Sequence, residues 1–91
     1  MNTRKYFENL KGKLNTVGKN IQNEREKLGY SRQYVSDRLM NYGIDISAHS
    51  LYDIETGTRT IIDYELAAIS RILKTSSDDL MKDFYEYLDN V

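Results

Sequence analysis

A chain of 91 residues with a formal net charge of −1 and no cysteine has room for one domain around one core. The missing thiols exclude a disulfide scaffold and a thiolate metal site, and with His49 as the single histidine zinc would rest on carboxylates alone, so no metal and no cofactor are expected. The opening MNTRKYFENL lacks the apolar core of a signal peptide, and no apolar run reaches the length of a membrane span, which makes a cytoplasmic location with no membrane partner the expectation.

Charge is unevenly placed. Residues 78–91 hold five acids (Asp78, Asp79, Asp83, Glu86 and Asp89) against Lys82, and the remaining 12 bases and 9 acids leave residues 1–77 at +3. An acidic tail beside a mildly basic body suits a reader of nucleic acid that carries a separate interaction element. Ordinary solvated charge would give the same pattern.

There is no proline, and apolar residues recur at helical spacing almost throughout, which predicts short helices joined by tight turns. Ahead of Asn15, the residues Tyr6, Phe7, Leu10 and Leu14 are spaced for a helix, which Gly12 weakens by about 1 kcal/mol relative to alanine. Residues 1–16 therefore read as an extension, either a docked helix or a partly ordered arm. Val17, Ile21 and Leu28 share a stripe on a first helix, and Gly29 sits where a left-handed cap is wanted. Ser31 is a suitable N-cap for a second helix running to about Met40, with Val35 and Leu39 on its inner face. Asn41-Tyr42-Gly43 reads as a stop and turn. Ser47 can cap a third helix whose firmly apolar positions are Leu51 and Ile54, and Thr56-Gly57-Thr58 ends it. A fourth helix begins near Asp63 and buries Leu66, Ile69, Ile72 and Leu73. Ser76 or Ser77 caps a fifth, with Leu80, Met81, Phe84, Tyr87 and Leu88 as its apolar positions.

The expected fold is an all-α compact bundle of about five short helices, with 17–81 as the folded domain and 82–91 as the acidic, tyrosine-containing end of the last helix. Ile21, Leu28, Val35, Leu39, Leu51, Ile54, Leu66, Ile69 and Leu73 are its expected core.

The informative element is the pair of helices over 31–56. A helix-turn-helix needs one helix to cross the nucleic-acid backbone and a second, short one whose outer face enters the major groove. That second helix must be apolar on its inner side only and must offer small or hydrogen-bonding side chains near its start. SAHSLYDIET, residues 47–56, has that form, although a plain surface helix has it too.

Val17-Gly18-Lys19-Asn20-Ile21 with Arg25 and Leu28-Gly29-Tyr30-Ser31, then residues 47–57, then Tyr64 to Leu73 and Leu80 together resemble the λ-repressor-like helix-turn-helix family of the Cro/C1, xenobiotic-response-element type. The resemblance implies a λ-repressor-like DNA-binding domain and a sequence-specific regulator of transcription, a repressor in the first instance. It places the groove-facing positions on Ala48, His49, Ser50, Tyr52 and Asp53. Backbone contacts fall on Arg32, Gln33, Ser47 and Arg59, with Lys19 and Arg38 as weaker candidates, and such contacts position the domain without reading sequence. It also implies a structural ion pair between Arg25 and Glu55. Chemically, Ser50 and His49 can bond base edges, Ala48 can touch a thymine methyl, Tyr52 can reach a phosphate or base edge, and Asp53 can accept from cytosine N4. For His49 plain solvation is the equal alternative.

Three features depart from the family pattern. Arg32 stands where glutamine is usual, with Gln33 next, and Ser36 replaces a small alanine. The stretch from Met40 to Asp45 stands where one glycine is common, and either lengthens the second helix or adds a loop before Ile46 resumes the core.

An enzyme is the weakest reading, because there is no cysteine nucleophile, no phosphate-cradling glycine loop and only one histidine. The serious rival is a protein-interaction module on the same scaffold, such as an antitoxin or a regulator with a protein partner. Double-stranded DNA is the expected ligand. One recognition helix reads few base pairs, so a homodimer is also expected; the apolar tail from Leu80 to Leu88 is a candidate interface, the equal alternative being that it folds back to close the core with Leu80 and Phe84 inside, and the segment with Tyr6, Phe7 and Leu10 is a second candidate surface.

Overall fold

A computed structural model of the protein describes residues 11–90. They form six α-helices and no strand: α1 (Gly18–Lys27), α2 (Arg32–Asn41), α3 (Ala48–Thr56), α4 (Asp63–Ile72), α5 (Ser77–Leu80) and α6 (Lys82–Asp89). Tyr6, Phe7 and Leu10 lie outside the described residues.

The capping serines set three of the helix starts. Ser31 Oγ accepts from the Tyr34 amide, Ser47 Oγ from Ser50 and Ser76 Oγ from Asp79, each at 3.0 Å, satisfying amides that the first helical turn leaves without partners. At α4 the cap is half made. Ile62 offers no side-chain acceptor, but Glu65 reaches back to accept from the Ile62 amide at 3.1 Å.

Val17, Ile21, Val35, Leu39, Ile46, Leu51, Ile54, Ile69, Ile72, Leu73 and Leu80 make the buried core, to which α1 to α5 all contribute. Leu28 and Leu66, expected inside, are only partly buried against it. No helix among the described residues is long and apolar enough to cross a membrane.

The extra residues between α2 and α3 form a loop rather than another turn of helix. Gly43 takes a positive φ of 80°, which glycine adopts without steric cost, and the Ile44 amide folds back onto Leu39 O at 3.0 Å. Ile46 then enters the core at 1% exposure. Its carbonyl accepts from Ser36 Oγ at 2.6 Å in a buried bond. The serine at the small position of α2 and the longer loop are thus complementary, since the hydroxyl satisfies a carbonyl the loop buries.

Two expectations need correction. Residues 11–16 are not helical. Lys11 and Gly12 both have positive φ, and the chain runs as a strap across the end of α3: Leu14 N donates to Gly57 O at 2.8 Å, Lys13 Nζ to Thr56 O at 3.1 Å and Asn15 Nδ2 to Ile54 O at 2.9 Å. Thr56 O and Gly57 O are carbonyls of the kind a helix end leaves unpaired, Ile54 O accepts from the Gly57 amide as well at 3.1 Å, and Lys13 adds a cation at the negative end of the dipole. The second correction is at Met81, where the expected fifth helix breaks into α5 and α6. There the Leu80 carbonyl is taken by Nδ2 of the buried Asn20 at 2.9 Å, a bond from α1 that competes with continuation of the helix.

Candidate functional site

Helix α3 has two distinct faces. Inward, Leu51 and Ile54 are fully buried, and so is the Glu55 carboxylate, at 1% side-chain exposure. That carboxylate is shared by two guanidiniums. Arg25 of α1 binds it through Nε at 2.8 Å and Nη2 at 3.1 Å, while Arg32 of α2 donates from Nε at 2.9 Å. Arg25 also donates from Nη1 to the Tyr30 carbonyl at 2.8 Å, and the Glu55 hydrogen bond is the first cause holding its pKa above the ordinary arginine value. The expected Arg25–Glu55 pair is therefore present. Arg32 is an addition that sequence reasoning assigned elsewhere.

Outward, α3 presents Ala48, His49, Ser50, Tyr52 and Asp53 on one continuous surface, with Ala48, Ser50 and Asp53 half-buried and His49 and Tyr52 exposed. Ser47 Oγ donates to Ser50 Oγ at 3.1 Å, which orients that hydroxyl. His49 Nε2 lies 3.6 Å from Asp53 Oδ2, one helical turn on, and its ring stacks 6.4 Å from that of Tyr52. Beneath Tyr52 the Arg32 guanidinium sits 5.0 Å from the ring centroid. The predicted groove-facing residues are thus together on one face.

The predicted backbone-contact residues are more dispersed in character. Gln33 bonds Asp37 along α2 at 2.9 Å. Arg59 is largely committed inside the protein: Nη1 and Nη2 grip Glu65 at 3.1 and 3.0 Å, and Nη1 also meets Thr60 O at 3.0 Å. This pair pins the start of α4 to the turn after α3. Neither residue of this pair was read from the sequence as a partner of the other.

The pair has a pH signature. Arg59 above all, aided by the Ile62 amide and opposed by burial, holds Glu65 below the ordinary glutamate range. A depressed carboxylate contributes stability above its unfolded pKa and loses it as pH falls through the folded value. Urea denaturation between pH 5 and pH 3 should show a steeper loss of stability in wild type than in Glu65→Gln, and parallel curves would contradict the assignment.

Asn15 is a site residue the sequence reading missed. Its Oδ1 accepts from the Val17 and Gly18 amides at 3.0 and 2.7 Å, capping α1, while Nδ2 holds Ile54 O and Arg59 O at 2.9 Å each. An asparagine just before a helix was the available signal. A surface cavity of about 500 Å³ lies between the strap, α1, the end of α3 and α6, with Lys13, Lys19, Gln22, Glu55 and Asp83 in its wall. His49 is not part of it.

No family model, curated protein or solved structure matches this chain. The geometry defines a small all-helical bundle. Its distinguishing feature is one short helix bolted through its inner carboxylate to two neighbouring helices, with its polar face turned outward.

Proposed function

We propose that the protein is a sequence-specific, double-stranded DNA-binding regulator of transcription, acting as a repressor, with a helix-turn-helix of λ-repressor type formed by α2 and α3. The observation that carries this reading is the division of α3. Its inner face is rigidly anchored through Glu55, and its outer face gathers small and hydrogen-bonding side chains next to a capped N-terminus. A helix meant for the major groove needs both properties, because base readout depends on side chains held in a fixed register. In this reading Ala48, His49, Ser50, Tyr52 and Asp53 face bases, while Arg32, Gln33 and Ser47 meet the backbone. Arg59 contributes through the donors that Glu65 leaves free.

The experiment that tests it compares sequence preferences of variants. His49→Ala or Ser50→Ala should cost about 1–3 kcal/mol at one base position and relax preference there. Sequence logos unchanged in both variants would remove these residues from the reading surface.

Two copies are expected to bind together, on half-sites about one helical turn apart. Support comes from α6, which has no buried residue and exposes Tyr85 and Leu88. Sedimentation should show a dimer that Leu88→Asp weakens, and a wild-type protein that stays monomeric at high concentration would rule it out.

Charge favours the second reading, a module that binds a regulatory protein partner. No lysine or arginine lies on α3, and Asp53 is on its outer face. Under that reading, charge reversal at Asp53 would change partner binding and leave duplex binding absent throughout.

A further inference from the structure

Arg32 is held in an unusual way for an exposed cation. Its Nε–H is spent on the buried Glu55 carboxylate at 2.9 Å, its Cζ lies over the Tyr52 ring 5.0 Å from the centroid, and its side chain keeps 32% of its surface exposed. No acceptor among the described residues bonds Nη1 or Nη2. A free arginine side chain gives up about 2 kcal/mol of rotamer entropy when it is fixed. Here two neighbours have fixed it already, one by a charge-assisted bond and one by a cation–π contact, and the two Nη groups are left unspent among the described residues.

We propose that Tyr52 is the positioning residue of Arg32, holding the guanidinium preorganised for the backbone phosphate that the DNA reading gives it, so that Tyr52 acts on DNA through the arginine as well as through its own edge. The inference rests on the DNA-binding reading and names a contact within it. Two Nη donors in one plane match two oxygens of a phosphate. A guanine Hoogsteen edge would match them equally, but Arg32 opens α2, the helix that crosses the backbone in this docking mode rather than entering the groove. Tyr52 is thereby given two faces of work: its hydroxyl end is left for the groove, while the ring face beneath is already occupied by the guanidinium and is closed to stacking on a base.

The test uses the full chain and random-sequence duplex DNA, where base readout does not contribute. Arg32→Ala should weaken binding to all duplexes alike and lower the salt slope by about 1. Between 50 and 200 mM salt wild type should therefore lose about fourfold more affinity than the variant. Tyr52→Leu should weaken random-duplex binding about two- to fivefold, and this loss should vanish in the Arg32→Ala background. Tyr52→Phe, which keeps the ring face, should bind random duplex as wild type does. In the free protein the Arg32 δ protons should carry an upfield ring shift that Tyr52→Leu abolishes, which checks the packing without DNA.

Additive losses from Arg32→Ala and Tyr52→Leu would overturn the inference, and so would a Tyr52→Phe defect as large as that of Tyr52→Leu. Loss of preference for one guanine in Arg32→Ala, with the salt slope unchanged, would make Arg32 a base reader and overturn the phosphate assignment. Failure of the DNA reading itself has another signature: wild type then binds no duplex at any salt, whereas failure of this inference leaves wild-type binding intact and removes only the coupling.

Discussion

Glu55→Ala is expected to cost about 3–5 kcal/mol of stability, because it strands the Arg25 guanidinium in a site where only 9% of its side chain is exposed. For a domain of this size the whole stability is about 5–15 kcal/mol, so the variant should lose a large share of it. The loss measures an abandoned charge more than the worth of the pair, and this has a checkable consequence. Replacing Glu55 and its buried partner with apolar residues of similar volume, Arg25→Met with Glu55→Leu, should cost less than Glu55→Ala alone, because the guanidinium still left without its carboxylate, that of Arg32, is partly exposed. Chemical denaturation of the three proteins orders them, and a loss below about 0.5 kcal/mol for Glu55→Ala would mean the pair behaves as an exposed one.

Gly18→Ala is expected to be comparably damaging for a steric reason. An added Cβ would meet the backbone of α3, 2.8 Å from Glu55 O and 3.0 Å from Glu55 C. Backbone cannot rotate aside as a side chain can, so the cost belongs at or above the upper end of the usual overpacking range, about 3 kcal/mol. In a domain this small that lowers the melting temperature by on the order of 10–20 °C. Gly29→Ala is the internal control. Gly29 has a positive φ of 72° but open space around it, so alanine there carries only the left-handed backbone penalty of about 1–2 kcal/mol. Thermal unfolding should rank Gly18→Ala well below Gly29→Ala, and the reverse order would contradict the close approach of α1 to α3.

The helices themselves were legible because their signals are local. Ser31, Ser47 and Ser76 each stand immediately before a helix and cap it, and the apolar spacing that placed Val35, Leu39, Leu51, Ile54 and Ile69 inside is a property of a few consecutive turns. What could not be read depends on residues far apart in the chain. The break at Met81 follows from Asn20, 60 positions earlier, taking the Leu80 carbonyl. The strap over α3 needs Lys13 to meet Thr56, 43 positions on, and its local spacing pointed to a helix instead.

At the candidate site the same distinction applies. The outward residues of α3 follow from helical periodicity once its start is known. The inward pair Arg25–Glu55 was reached through a family resemblance, since no periodicity links positions 30 apart. Arg32 was visible as an arginine where glutamine is usual, but its attachment to Glu55 and Tyr52 required three helices to be in place. Arg59 illustrates the opposite risk, because a basic residue after the reading helix suggests a phosphate contact and its grip on Glu65 lies in the next element.

Selection by the wild-type protein from a pool of random duplexes tests the account most directly. Enriched sequences should converge on a short motif recognised by one α3, present twice with centres about one helical turn apart, and their affinity should fall as salt rises. A folded, intact protein that enriches no sequence and binds duplex no better than it binds an unrelated polyanion would contradict the central claim.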